Sequence, residues 1–127
     1  MLACAALKMG DARTVGYLMN QAQALFDRFV APCSFKELKS PRLHELLAYE
    51  PLQKYVYGGK SVGSQGDGTA QFVARSEHDR DAAMSLIEST FPLMHCYPLT
   101  ILDNRQVSID CTNRATFSES RLQTSHE

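Results

Sequence analysis

The segment "GGKSVGSQGDGT", residues 58–69, determines how the rest of the chain is interpreted. Five of its twelve residues are glycine, and a short apolar run, "AQFVAR", follows at once. Residues 60–62 and 69–75 look like two strands, so we predict a strand pair joined by a glycine-rich loop. Glycine permits a tight turn, but it also lets the backbone approach another group closely. Five glycines exceed what a turn needs, which favours the second use.

Length and composition restrict the class of protein. A chain of 127 residues, 44% hydrophobic and 21% charged, is typical of one globular domain with a real core. A net charge of -1 argues against binding to nucleic acid or to an anionic membrane, since both need a concentrated basic face. No stretch is apolar for the length of a membrane span. We expect a cytoplasmic protein whose widely spaced cysteines are free thiols, buried as small hydrophobes: Cys4, Cys33, Cys96 and Cys111.

The first third of the chain is predicted to be helical. Asp11 is a good N-cap for a long helix, and Gly10 suits the left-handed residue that ends a preceding helix. That preceding helix starts at the first residue without a cap, and we take this as a hint that the chain continued upstream. Apolar residues of the long helix recur in steps of three and four, so we expect them to form one core-facing stripe: Val15, Leu18, Met19, Ala22, Leu25, Phe26, Phe29 and Val30.

Further turn and cap signals divide the middle of the chain. Pro32 closes the long helix, and Ser40 followed by Pro41 opens another, with the serine as its cap. Residues 51–57 are predicted to form a short helix that Gly58 and Gly59 end.

Beyond the glycine-rich loop, Ser76 and Asp79 have capping-box spacing and open a further helix. Residues 94–101 and 105–111 are predicted strands, and residues 112–127 form a polar tail with little to pack. The order predicts an α+β fold with a ferredoxin-like antiparallel sheet, helices on one face and a helical segment before it.

The glycine-rich loop resembles the third signature motif of the GHMP kinases, the family of galactokinase, homoserine kinase, mevalonate kinase and phosphomevalonate kinase. The family pattern, roughly G-A-K-L-T-G-A-G-G-G-G-C before an apolar strand, lies without gaps on residues 58–69. Five residues match it: Gly58, Lys60, Gly63, Gly66 and Gly68. The preceding "LMNQAQALF" and "SPRLHELL" also fit, so residues 1–111 are identified as similar to the C-terminal domain of these kinases.

This resemblance implies a function and a set of site residues. It implies that the complete enzyme transfers phosphate from ATP, with Mg²⁺, to a small-molecule alcohol such as a sugar or mevalonate. The loop residues that would contact the nucleotide or its phosphate loop are Gly63, Ser64, Gln65, Gly66, Asp67 and Gly68, and the candidates for substrate contact are Lys60 and Tyr57. No catalytic residue and no metal ligand is assigned to this chain.

The sequence also departs from the family pattern. Val62 replaces a hydroxyl residue, and Gln65 and Asp67 replace glycines. A carboxylate beside a phosphate would repel it unless a cation compensates. No second glycine- and serine-rich loop precedes residue 58, and phosphoryl transfer needs a phosphate cradle. We therefore expect the missing N-terminal kinase domain as a partner, no activity of the chain alone, and exposed apolar surface that favours oligomers. The alternative is a non-catalytic ferredoxin-like module that binds a metabolite or dimerises.

Overall fold

A computed structural model of the chain describes residues 2–63, 65 and 67–101. These residues form six α-helices, one 3₁₀ turn and two strands. In chain order they are α1 (Leu2–Lys8), α2 (Ala12–Phe29), the 3₁₀ turn (Ala31–Ser34), α3 (Phe35–Leu38), α4 (Pro41–Leu47), α5 (Glu50–Gln53), β1 (Val56–Ser61), β2 (Ala70–Ala74) and α6 (Glu77–Thr90).

The predicted starts of α2 and α6 are confirmed. Asp11 caps α2, because its carboxylate accepts the backbone N–H of Thr14 over 3.1 Å, and Gly10 is left-handed with φ of 70°. Ser76 caps α6 by accepting the N–H of Asp79 over 3.0 Å. Such caps depend on residues three positions apart, so the local sequence is sufficient to predict them.

β1 and β2 form an antiparallel pair, as predicted, with Gly59 opposite Phe72 and Ser61 opposite Ala70. The bounds of β1 differ from the prediction. The helix expected over residues 51–57 ends at Gln53, and the strand begins at Val56 and includes both Gly58 and Gly59. The two glycines therefore do not stop a helix.

These strand glycines are required by close packing. A Cβ on Gly16 of α2 would come within 2.8 Å of the backbone nitrogen of Gly58, and a Cβ on Gly58 would collide with the Gly16 carbonyl. A Cβ on Gly59 would meet the Phe72 ring. Helix and strand can touch backbone to backbone here only because both contact residues are glycines.

The apolar core lies between the strand pair, α4, α5 and α6. Its buried members are Leu46, Leu52, Val56, Ala83, Ile87 and Phe91. The predicted apolar stripe of α2 is not part of it: only Gly16 and Gln23 of that helix are buried, whereas Leu25 and Phe29 are 55% and 58% exposed. The helix turns its polar stripe toward the strands instead, because those polar groups satisfy strand backbone.

The remaining predictions on the fold have mixed outcomes. Residues 91–101 contain no strand, so the strand expected at 94–101 is wrong; the predicted strand at 105–111 and tail at 112–127 lie outside the described residues. Cys4, Cys33 and Cys96 are free thiols as predicted, but Cys4 and Cys33 are exposed and Cys96 is only half-buried. No helix in the described part of the chain combines the length and apolar composition needed to cross a bilayer. Over the described residues the fold is a small α+β arrangement with a two-stranded antiparallel sheet.

Candidate functional site

A polar stripe on α2 runs along β1. It consists of Asn20, Gln23 and Asp27, spaced by three and four residues. Asn20 Oδ1 accepts the N–H of Gly59 over 2.9 Å, and Gln23 Oε1 accepts the N–H of Ser61 over 2.8 Å. Two backbone donors of the strand are therefore satisfied by helix side chains rather than by a third strand. The stripe fixes the distance between α2 and the start of the glycine-rich loop.

Gln65 anchors the loop in the interior. Its side chain is fully buried, and its Nε2 donates to Asp27 Oδ1 and to the Leu38 carbonyl, both over 3.0 Å. Its Oε1 accepts Gln23 Nε2 over 2.7 Å and faces Ser61 Oγ at 3.3 Å. All the hydrogen-bonding capacity of the amide is used inside the chain, so the Gln65 side chain shapes the loop and is not available to a nucleotide.

Ser40 holds the backbone of the same residue. Its hydroxyl donates to the Gln65 carbonyl over 2.6 Å. Ser40 occupies the N-cap position of α4 with Pro41 directly after it, as predicted, but its side chain makes no cap hydrogen bond to the helix. Ser40 and Gln65 have φ of 38° and 58°, the left-handed region that non-glycine residues rarely occupy. They are the two non-glycine residues with positive φ in the described ranges, and they bond to each other.

The cap that Ser40 does not supply comes from the loop. Asp67 accepts the N–H of Leu43 over 2.8 Å through Oδ1 and the N–H of Arg42 over 3.3 Å through Oδ2. A carboxylate at a helix N-terminus satisfies unpaired amides and complements the helix dipole. Asp67 therefore connects the loop to the first turn of α4, a role that spacing along the chain could not indicate because 24 residues separate Asp67 from Leu43.

The outer glycines of the loop have no such role. A Cβ on Gly63 or Gly68 would meet no heavy atom within 4 Å. Gly63 has φ of 67°, so its left-handed backbone conformation explains why residue 63 is a glycine. Gly68 has neither a positive φ nor a close neighbour in the described part of the chain, so nothing within it requires a glycine there. Ser64 and Gly66 lie outside the described residues.

The two substrate-contact candidates lie on β1. Lys60 is half-buried, and its Nζ donates to the neighbouring Ser61 carbonyl over 2.6 Å. The Tyr57 ring has the guanidinium of Arg75 4.9 Å and that of Arg13 5.6 Å from its centroid, distances at which cations interact with the ring. Their expected contact with substrate stays a prediction.

His44 on α4 completes the polar cluster. Its Nε2 lies 3.0 Å from Asp27 Oδ1 and its Nδ1 lies 2.8 Å from the Ser40 carbonyl. Partial burial lowers the pKa of His44, but the hydrogen bonds to Ser40 and Asp27 and the Asp27 charge outweigh it, so its pKa is raised above the ordinary value of 6.5. Sequence reasoning missed this cluster, although the spacing of Asn20, Gln23 and Asp27 by three and four residues, which places them on one face of the helix, was a usable signal.

A cleft of about 200 Å³ opens beside the cluster, between α2 and the strands. Its lining is Asn20, Gln23, Ala24, Asp27, Leu47, Gln53, Gly59 and Phe72. The volume is below the roughly 300 Å³ at which ligand pockets usually begin. Within residues 2–63, 65 and 67–101, no group of three or more His, Cys, Asp and Glu side chains is placed to hold a metal ion.

Comparison of the chain with protein families, with curated proteins and with solved structures gave no match in any of the three.

Proposed function

We propose that this chain is the C-terminal, closing domain of a GHMP-type kinase that transfers phosphate from ATP to a small-molecule alcohol, a sugar or a mevalonate-type substrate. One observation carries the proposal. The glycine-rich loop is fixed on its inner side by Gln65 and Asp67, while Gly68 is a glycine that the described part of the chain does not itself need. A preformed loop with an open glycine suits close approach of an external backbone or phosphate.

The backbone of Gln65 supports the same proposal. Gln65 occupies a glycine position of the family pattern, and its φ of 58° is one that glycine adopts without strain. A left-handed glutamine costs conformational energy and persists only where its surroundings hold it. The five hydrogen bonds that its side chain and carbonyl make hold it. Glutamine at this position thus keeps a backbone conformation that glycine adopts easily, and its hydrogen bonds fix the loop in place.

The loop fits ATP and Mg²⁺ only as one part of a site. Its open glycines offer backbone, but the Asp67 carboxylate is already occupied as the cap of α4 and no metal-holding group is present in the described ranges. The phosphate cradle, the magnesium ligands and the acid or base at the reacting hydroxyl would come from an N-terminal kinase domain. The role of this chain is then to position the loop over that cradle, since phosphoryl transfer depends mostly on positioning and charge stabilisation.

The exposed apolar side chains are consistent with such a partner domain. Leu25, Phe29 and Phe35 are 55%, 58% and 65% exposed. Leu25 and Phe29 are four residues apart on α2, and Phe35 is the first residue of α3. Exposed large apolar side chains that lie together mark interaction surfaces more often than isolated ones do. We propose that this surface, formed by Leu25, Phe29 and Phe35, packs against the N-terminal domain.

The test is Mg²⁺-ATP-dependent phosphorylation of a panel of sugars and of mevalonate. It is measured for the chain alone and for the longest natural polypeptide or complex that contains it. The proposal predicts turnover only in the second sample. Turnover by the chain alone that a loop mutation abolishes would contradict the proposal, and so would the absence of turnover in both samples.

The same exposed side chains favour a second candidate, a non-catalytic module that dimerises through them. Light scattering of the chain alone distinguishes a monomer from a dimer, and Phe29→Ser tests whether this surface is responsible. A dimer that Phe29→Ser dissociates, together with no turnover in the natural polypeptide, would favour the module over the kinase domain.

A further inference from the structure

Both ring nitrogens of His44 face acceptors. Nδ1 lies 2.8 Å from the Ser40 carbonyl and Nε2 lies 3.0 Å from the Asp27 carboxylate. A carbonyl and a carboxylate oxygen only accept, and a neutral imidazole carries one N–H. In the neutral ring, one nitrogen lone pair would therefore point at an oxygen lone pair. Both contacts are hydrogen bonds only when the ring is protonated.

The two residues that His44 contacts are also two of the residues that hold Gln65. Asp27 accepts from the Gln65 side chain over 3.0 Å, and Ser40 donates to the Gln65 backbone carbonyl over 2.6 Å. His44 contacts both Asp27 on α2 and Ser40 before α4. Because Asp27 and Ser40 also bond to Gln65, the four residues form a closed ring of contacts around the buried part of the loop. Loss of the ring contact with Asp27 would leave Asp27 and Ser40 connected only through Gln65 itself. Loss of the ring contact with Ser40 would leave the Ser40 carbonyl bonded to the His44 backbone N–H over 3.1 Å.

We propose that His44 is a proton-dependent positioning residue. The protonated ring holds the glycine-rich loop to α2 through its contacts with Asp27 and Ser40, and these two contacts together form a lock. The neutral ring loses one of the two contacts and so releases one side of the lock. The inference goes beyond the proposed kinase function and does not rest on it, because the lock is contained within this chain. In a kinase it would make the order of the loop, and thus phosphate approach, depend on pH near neutrality.

The charged groups around His44 favour the protonated ring. Asp27 from α2 is in contact, and Asp67 from the loop lies on the first turn of α4. On the segment of His44 itself, Arg42 and Glu45 face each other at 3.8 Å, and Lys39 precedes Ser40 with its side chain exposed. Asp27 is the carboxylate within 4.0 Å of the ring in the described part of the chain.

The direction of the pH dependence follows. Because the pKa of His44 in the folded chain is raised above 6.5, the lock contributes its full stability below pH 6.5 and loses it as the pH rises through the folded-state pKa. The pH range over which the lock loses its stability therefore lies above the ordinary histidine pKa, at which exposed histidines lose their proton.

The experiment is an NMR titration of the full chain from about pH 5 to pH 9, a range that brackets histidine titration. The ring resonances of His44 and the backbone and side-chain amide resonances of Gln65 are followed together. We expect Gln65 to shift with the same midpoint as His44, above 6.5. Gln65 resonances that do not move, or a His44 midpoint at or below 6.5, would overturn the proposal on the unmodified chain alone.

Two variants make the assignment specific. His44→Gln, which keeps a polar side chain, should abolish the Gln65 titration, and a titration that persists would overturn the proposal. His78→Gln is the matched control, since His78 lies on α6 with its side chain 92% exposed; we expect it to leave the Gln65 titration unchanged. A Gln65 titration that disappears in the His78 variant would assign the pH response to the wrong histidine and refute the lock.

Discussion

The Gln65 side-chain amide donates to the Asp27 carboxylate over 3.0 Å, although 38 residues separate the two along the chain. This bond joins the buried part of the glycine-rich loop to the last turn of α2. It turns a segment with the composition of a flexible turn into one held at a defined place. If the loop is held in this way, the residues that hold it should stabilise the fold.

Gln65→Ala should lower the free energy of unfolding by about 3 kcal/mol, because several buried groups would lose their partners at once. Chemical denaturation measures this change. Gln71→Ala is the matched control, since Gln71 is an exposed glutamine on β2, and its effect should stay within about 0.5 kcal/mol. Equal effects of the two variants would mean that the buried network does not stabilise the fold.

Asp67→Ala should cost about 1 kcal/mol, the usual cost of removing a helix N-cap, because α4 would lose the acceptor of two backbone N–H groups. Asp67→Asn should retain most of that stability, since an asparagine oxygen can also cap. Denaturant midpoints of the three proteins provide the comparison. An alanine variant as stable as the asparagine variant would show that Asp67 does not act as a cap.

Gly58→Ala should destabilise the chain by roughly 1–3 kcal/mol, because its methyl group would collide with the Gly16 backbone. Gly68→Ala should be neutral, or stabilising by roughly 0.4–1 kcal/mol through the unfolded chain, because its methyl group would meet no neighbour. Thermal and denaturant unfolding distinguish these outcomes. A large loss of stability in Gly68→Ala would favour the simpler interpretation that the loop is a hairpin turn.

The described cysteines should differ in their rates of alkylation near neutral pH. Burial, and secondarily the Glu88 charge, raises the pKa of the Cys96 thiol, which reduces its thiolate fraction. Cys4 and Cys33 are exposed and should react first. Timed labelling with iodoacetamide followed by peptide mass spectrometry measures each site separately. Labelling of Cys96 before the other two would contradict the described burial.

The parts of the fold that the sequence predicts are those set by neighbouring residues. Asp11 and Ser76 cap helices through contacts three residues away, and the antiparallel pair follows from two short strand segments joined by the glycine-rich loop. Gly58 and Gly59 look like a helix stop in the sequence, because the contacts that require glycine there, with Gly16 and Phe72, exist only in the folded chain.

The candidate site was predictable only in outline. The glycine-rich loop is visible in the sequence, but the burial of Gln65 depends on Gln23, Asp27 and Ser40, which lie 25 to 42 residues away. The prediction of a core-facing apolar stripe on α2 is wrong for the same reason. Apolar spacing alone favours Leu25 and Phe29 as core, whereas the face of the helix that carries Asn20 and Gln23 lies against β1, because both side chains accept hydrogen bonds from strand amides.

Phosphoryl transfer by the natural polypeptide or complex that contains this chain, compared between the wild type and Gly68→Ala, tests the central claim most directly. The account predicts Mg²⁺-ATP-dependent phosphorylation of a small alcohol by the wild type. It predicts that Gly68→Ala loses most of this activity while its unfolding midpoint does not fall, because a methyl group would separate the loop from the phosphate cradle without touching its own domain. Full activity of Gly68→Ala, or no phosphorylation by the wild type, would contradict the account.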